Sequence, residues 1–411
     1  MNPALAAHFF RHEYGRLVAM MVRRAGAAHL EVVEDAVQAA LLAAVETWPR
    51  SGIPESPAAW LHRVARNELA SELRRRARRG DLDAERALAS EERAVEAPQV
   101  PLAGDVRDDL LRMLFVCCDD AIPVEAQLVL ALKTLCGFDV REIAERLFMT
   151  EANTYKRLTR ARERRRRAPV ALADPSTEEL ASRLPGVRAI VYTVFTEGHL
   201  SSCSDDAIRR ELCDEAVRLG EILAEHPIAA TPETFALLAL MHLHRARMGA
   251  RLDASGGLVL LEDQDRSRWD QASIQVGLSW LARSASGSSF SRYHAEAGVA
   301  AEHCLAPSFS ATRWDRVVSC YELLHATAPS PLHTLNRALA VAEWRGPEEG
   351  LAVLEGLEPP SWLEGSYQWA AVLSDLHRRA GHRDVATRYR DAAIAAAPSD
   401  TIRAALARRL G

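Results

Sequence analysis

The sequence predicts an all-α protein, with two small helical modules followed by a large α-helical, repeat-like domain. Three observations carry this. Apolar residues recur at helical spacing along nearly the whole chain, and no stretch alternates as a strand does. The stretch from Phe138 to Arg167 divides into two short helices joined by a tight turn. Near the C-terminus Gly346 and Gly381 stand 35 positions apart, a period of the length that stacked helix pairs use. The predicted boundaries are a module over 1–79, an acidic linker over 80–107, a second module over 108–168 and the large domain over 176–411.

A chain of 411 residues leads one to expect two or three domains. Its net charge of −5 excludes a protein coated all over for nucleic acid. The arginines, however, concentrate between Arg63 and Arg79 and between Arg157 and Arg167, and the rest leans acidic. The cysteines are Cys117, Cys118, Cys136, Cys203, Cys213, Cys304 and Cys320. An odd number with no C-x-x-C pair fits neither a disulfide framework nor a zinc site. Reduced thiols in the cytoplasm follow. No apolar run reaches membrane-spanning length, and the amphipathic N-terminus with Glu13 is no signal peptide. A cytoplasmic protein without a membrane partner is therefore expected.

Residues 3 to 25 and then Leu30 to Trp48 read as helices. In the latter Val33, Val37, Leu41, Ala44 and Trp48 fall on one face. Glu31, Glu34, Asp35 and Gln38 point outward, as a protein-docking surface or a solvated face. Pro49 to Pro57 reads as a stiff loop. Ala59 to Arg79 returns to helix, with Leu61, Ala65, Leu69 and Leu73 as its seam. Trp60, Arg63, Arg66, Asn67, Arg74, Arg75 and Arg76 occupy its other sides. A flat ring, an amide and cations together suit unstacked or extruded bases. Residues 80–107 are acidic and then proline-rich, as a mobile linker is. Leu110 to Cys118 and Val124 to Leu135 are apolar helices that support the stretch after them.

In that stretch Asp139 and Thr150 are N-cap candidates. Thr154, Leu158 and Ala161 face inward, while Tyr155, Lys156, Thr159 and Arg162 share the outer face. Arg157, Arg160 and Arg164 to Arg167 add positive charge. A buried seam, a face able to reach base edges and cations for phosphates make a DNA-binding helix-turn-helix.

The order and spacing of these motifs resemble the extracytoplasmic-function sigma factors of bacterial RNA polymerase. EDAVQAALLAAVETW resembles their polymerase-docking helix, AWLHRVARNELASELRRR their promoter-opening helix, and TEANTYKRLTRARER their recognition helix. Gln38-Ala39 replaces their common Gln-Glu, Ser71 an acidic residue, and Ala152-Asn153-Thr154 their usual Gly-Thr-Val. The resemblance implies a non-enzymatic alternative sigma factor with core RNA polymerase and promoter DNA as partners. It implies that Glu34, Asp35 and Gln38 dock on polymerase. It assigns Trp60, Arg63, Arg66, Asn67, Arg74, Arg75 and Arg76 to the −10 element. It assigns Tyr155, Lys156 and Thr159 to base edges of the −35 element, and Arg157, Arg160 and Arg162 to its phosphates. An ordinary helix-turn-helix regulator remains the alternative, as does an enzyme or scaffold in the long C-terminal domain.

In that domain Gly381, Ala386, Ala393 and Pro398 match tetratricopeptide spacing. Two stretches, Ala189 to Asp206 and Ala250 to Asp270, resemble the helical extension of a sigma-factor subgroup. Arg251, Asp253, Glu262, Asp263, Asp265, Arg266 and Arg268 read as a charge-paired loop between helices, not a metal or hydrolase site. Glu197 with His199 lacks a nucleophile beside it. No cofactor, catalytic residue or metal site is expected. An intramolecular contact between this domain and the sigma modules is, because only APVALADPS separates Arg167 from Thr177.

Overall fold

The computed structural model describes residues 3–81, 84–85, 87–89, 103–119, 122–147, 149–167, 177–199, 210–253, 257–398 and 400–410. Among these there are helices and one isolated antiparallel bridge, Leu252 to Leu258, and no strand. Most of the predicted linker, the spacer 168–176 and the stretch 200–209 with Cys203 lie outside the described residues. The chain divides into two compact units, Met1–Thr193 and Val194–Gly411.

The N-terminal unit starts with α1 (Pro3–Ala25), α2 (Leu30–Ser51) and α3 (Pro57–Ala77). It continues with α4 (Ala103–Cys117), α5 (Val124–Thr134), α6 (Val140–Arg146) and α7 (Glu151–Arg167). The first part of α8 (Thr177–His199) completes it. Val33, Val37, Ala44 and Trp48 are buried, as are Leu61, Ala65, Leu69 and Leu73, so the apolar stripes of α2 and α3 form the seam between them. Two features differ from the sequence reading. Helix α2 continues through Pro49 to Ser51 and stops at Gly52 (φ +83°), whose N–H donates to the Trp48 carbonyl at 3.0 Å. A proline in a last turn disturbs few helical bonds, so the loop shrinks to 52–56. Helix α4 begins at Ala103, inside the predicted linker.

The two predicted modules pack on each other inside this unit. Helix α1 lies against α4, and the Arg23 guanidinium reaches the buried carboxylate of Asp109 at 3.3 Å. At Gly15 a Cβ would stand 2.2 Å from the Leu135 carbonyl oxygen, so only glycine permits that approach between α1 and the end of α5. Helix α8 joins them: Arg183 stands 3.5 Å from Asp119, and Leu184 and Val187 are buried.

The C-terminal unit continues with α9 (Arg210–Glu225), α10 (Pro232–Arg247), α11 (Gln271–Ser284), α12 (Arg292–Leu305), α13 (Trp314–Thr327) and α14 (Pro331–Arg345). Helices α15 (Pro347–Ala352), α16 (Ser361–Glu364), α17 (Tyr367–Arg379), α18 (Arg383–Ala395) and α19 (Asp400–Leu410) follow. Successive helices pack on one another. Helix α10 is its core, with Ala236, Leu237, Leu238, Ala239, Met241 and Leu243 all buried. Gly346 (φ +105°) and Gly381 (φ +81°) turn the chain between α14 and α15 and between α17 and α18, a conformation that favours glycine. Ala386 and Ala393 are buried in α18.

Candidate nucleic-acid and partner interfaces

Helix α3 starts with proline at its first position, where the missing N–H costs nothing. Trp60 sits half-buried at that end, edge-on to Trp48 at 5.6 Å, and Phe10 lies 5.7 Å from Trp48. Away from the seam, Arg63, Asn67, Arg74 and Arg75 are exposed, while Arg66 and Arg76 are half-buried. Arg75 and Arg76 are engaged by Glu72 of the same helix, Arg76 at 3.2 Å. Glu72 sets where these two guanidiniums point, and sequence reasoning had passed over it. Arg63 and Asn67 are one turn apart and both open.

The helix-turn-helix forms at its caps. Asp139 Oδ1 accepts from the Glu142 N–H at 2.7 Å, and Glu142 Oε2 accepts from the Asp139 N–H at 2.9 Å, a reciprocal capping box. Thr150 Oγ1 accepts from the Asn153 N–H at 3.2 Å and caps α7. Thr154, Leu158 and Ala161 are buried against α5 and α6. Tyr155, Lys156, Thr159 and Arg160 are exposed, and Arg157 is half-buried.

Arg162 is not on that open face. Its guanidinium bonds the carboxylate of Glu34 in α2 and lies 3.6 Å from Glu31. Arg162 borders the buried seam, four residues after Leu158, and the carboxylates at the start of α2 cover it there. Glu34 correspondingly does not point outward. It is 1% exposed and also accepts from the Thr134 hydroxyl at 2.8 Å. Burial pushes its carboxyl pKa up, and Arg162 and Thr134 offset part of that. Arg165, expected in the positive field, is buried too, with Asp119 at 2.7 Å.

Asp35 and Gln38 remain exposed on α2. One turn on, Leu42 and Val45 are 60% and 54% exposed. Sequence reasoning missed both, although they stood off the stripe of Val33, Val37 and Ala44 and so had no core to enter. Asp35, Gln38, Leu42 and Val45 make an open face with an acidic start and an apolar end.

Residues 9–79 match the model of sigma-70 region 2. Residues 183–285 match that of a family of unknown function (DUF6596). An uncharacterized protein of Rhizobium meliloti (strain 1021) is 36% identical over 370 residues, covering 90% of this chain and 87% of that one. No solved structure matches. The chain belongs to one family with that Rhizobium protein. Its first three helices match sigma-70 region 2, so the aromatic and arginine cluster of α3 and the open face of α2 both lie in region 2.

The C-terminal residues singled out by sequence are distributed differently. His199 accepts from Arg251 at 2.7 Å, stacks on Phe195 at 5.7 Å and lies tilted against His244 at 4.4 Å. Glu262 pairs with Arg409 of α19 at 3.4 Å, and Arg266 donates to the carbonyls of His303 and Ala306. The stretch from Glu262 to Arg268 is therefore tied to the body of its unit at Glu262 and Arg266. A cavity of about 700 Å³ opens beside it, lined by Glu262, Asp263, Glu343, Asp375, Arg379 and Arg408 among others. Among the described residues no group of His, Cys, Asp and Glu is arranged to hold a metal, and no helix is long and apolar enough to cross a membrane.

Proposed function

We propose that the chain is an alternative sigma factor of the extracytoplasmic-function type, which binds core RNA polymerase and directs it to promoters. The observation that carries this reading is the region 2 match, laid over helices whose open sides hold Arg63 and Asn67 on α3 and Asp35, Gln38, Leu42 and Val45 on α2. Asn67 receives a base flipped from the −10 element, since an amide both donates and accepts. Trp60 offers a ring for stacking, and Arg63, Arg66 and Arg74 to Arg76 hold the strand. Tyr155, Lys156 and Thr159 read base edges of the −35 element, and Arg157 and Arg160 contact phosphates. Asp35 and Gln38 dock on polymerase with Leu42 and Val45 as apolar anchors.

Within this reading the N-terminal unit is in a closed form. Arg162 of the recognition helix and Glu34 of the docking helix hold each other, so neither is free for DNA or polymerase. Promoter binding requires that pair to part. The C-terminal unit regulates engagement, through contact with the sigma modules.

In vitro transcription with purified core polymerase tests the reading. The full chain should direct initiation at a discrete promoter, and Asn67→Ala should weaken permanganate-detected opening there. Core polymerase initiating no better with the chain than without it would refute the assignment.

A further inference from the structure

Arginines in the C-terminal unit meet, among the described residues, without a carboxylate between them. Arg247 ends α10 and is 8% exposed. Its guanidinium carbon lies 5.4 Å from the centre of the Trp269 ring, and that of Arg266 lies 4.4 Å from the same ring. Arg251 donates to the His199 carbonyl at 2.5 Å and to His199 Nε2 at 2.7 Å. His199 in turn lies 4.4 Å, ring to ring, from His244. Arg266 donates to the His303 carbonyl at 2.5 Å. Three arginines, three histidines and one indole thus form one cluster, in which Arg247, Trp269 and His303 are buried and the others half-buried.

Among the described residues, the charges that act on these histidines belong to the same cluster. His244 faces Arg247, Arg251 and His303, and His303 faces Arg247 and Arg266. Among the described residues none of the three arginines has a carboxylate in an ion pair. The thiols beside them are no substitute. Burial pushes Cys213 up to about 12 and Cys304 up to about 11, so both are protonated at neutral pH. Burying a cation without a counter-charge is costly, and natural proteins pair such groups.

The hydrogen-bond inventory points the same way. Arg247 Nε, Arg266 Nη2 and Trp269 Nε1 are buried with no acceptor. Because Arg251 donates to His199 Nε2, the His199 proton sits on Nδ1, which also lacks an acceptor. Among the described residues the cluster meets no group that is both rich in acceptors and negatively charged. A cavity of about 190 Å³ adjoins the cluster at His303 alone, lined also by Glu262, Tyr321, Asn336, Glu343 and Arg409 among others.

We propose that Arg247, Arg251 and Arg266 form a binding site for a small oxyanion, a phosphate or carboxylate group, with Trp269 and His199 as neutral donors. The three arginines lie in the segment that matches the family of unknown function. Guanidinium forks suit such groups because they donate two parallel hydrogen bonds to paired oxygens. The site is independent of the sigma-factor reading, and its test measures binding rather than transcription.

The test is calorimetric titration of the full chain with inorganic phosphate and, separately, with succinate, each against chloride at equal ionic strength. One of the two should bind saturably and raise the melting midpoint of the C-terminal unit. The anion that does so tells a phosphate from a carboxylate ligand. Arg247→Met and Arg266→Gln should each weaken binding about tenfold or more, the loss expected for one charge-assisted bond. Arg266 is partly exposed, so its variant keeps the test valid if Arg247→Met does not fold. Binding of neither anion beyond chloride, or full affinity in both variants, would overturn the proposal.

Discussion

Two sets of arginines, one in each unit, are accommodated in opposite ways. In the N-terminal unit Arg162 has Glu34 and Glu31, and Arg165 has Asp119. In the C-terminal unit Arg247, Arg251 and Arg266 have aromatic rings and carbonyl oxygens instead. The first arrangement has its counter-charge within the chain and acts as a fastener between helices far apart in sequence. The second is incomplete and calls for an anion from outside. Buried arginine alone thus says little; its counter-charge separates a structural tie from a binding site.

The largest expected effect bears on acid. Burial lowers the pKa of His199 and His244 well below the usual value, of His242 to about 4 and of His303 to about 3. Below pH ~6.5 the unfolded chain takes up protons that the folded unit refuses. Stability is therefore fully present above that pH and falls as pH drops toward the folded values. Each histidine contributes a slope of about 1.4 kcal/mol per pH unit. Urea midpoints of the C-terminal unit at pH 7.5 and 5.5, in phosphate-free buffer, should differ accordingly. Equal midpoints would mean that the cluster is already charged or open to water.

Next comes Asp119→Ala, which strips the carboxylate from both Arg165 and Arg183. Breaking a buried pair costs about 3–5 kcal/mol. The N-terminal unit should unfold at a lower denaturant midpoint while the C-terminal transition stays in place. A loss shared by both transitions would mean that the fastener is not confined to one unit. A milder effect is expected of Lys156→Ala and Thr159→Ala, about 1–3 kcal/mol of promoter discrimination at single −35 positions. Binding profiles over a promoter library measure it, and unchanged preference at every position would remove these side chains from the groove.

Local features were legible in the sequence. The caps at Asp139 and Thr150 and the seams of α3 and α7 depend on neighbours a few residues away, so spacing alone reveals them. The fasteners were not. Glu34 and Arg162 are 128 residues apart, and each reads on its own helix as a solvent-facing charge. Leu42 and Val45 were overlooked because an exposed apolar pair leaves no periodic signature beyond being off the core stripe. The cation cluster was hidden for the opposite reason. The stretch from Glu262 to Arg268 has mixed signs and reads as self-neutralising, yet Glu262 goes to Arg409 and Arg266 to carbonyls. Charge balance along a sequence does not predict charge balance in space.

The Glu34→Gln variant tests the central claim, a sigma factor held closed by its own docking and recognition helices. An amide still accepts from Thr134 but no longer pairs with the Arg162 cation, and it leaves Asp35, Gln38, Leu42 and Val45 untouched. Affinity for core polymerase and promoter-dependent transcription should be measured side by side for this variant and the unaltered chain. The account predicts tighter binding and more transcript from the variant, because the closed form is weakened. Weaker binding with less transcript would show that Glu34 contacts polymerase directly and would contradict it.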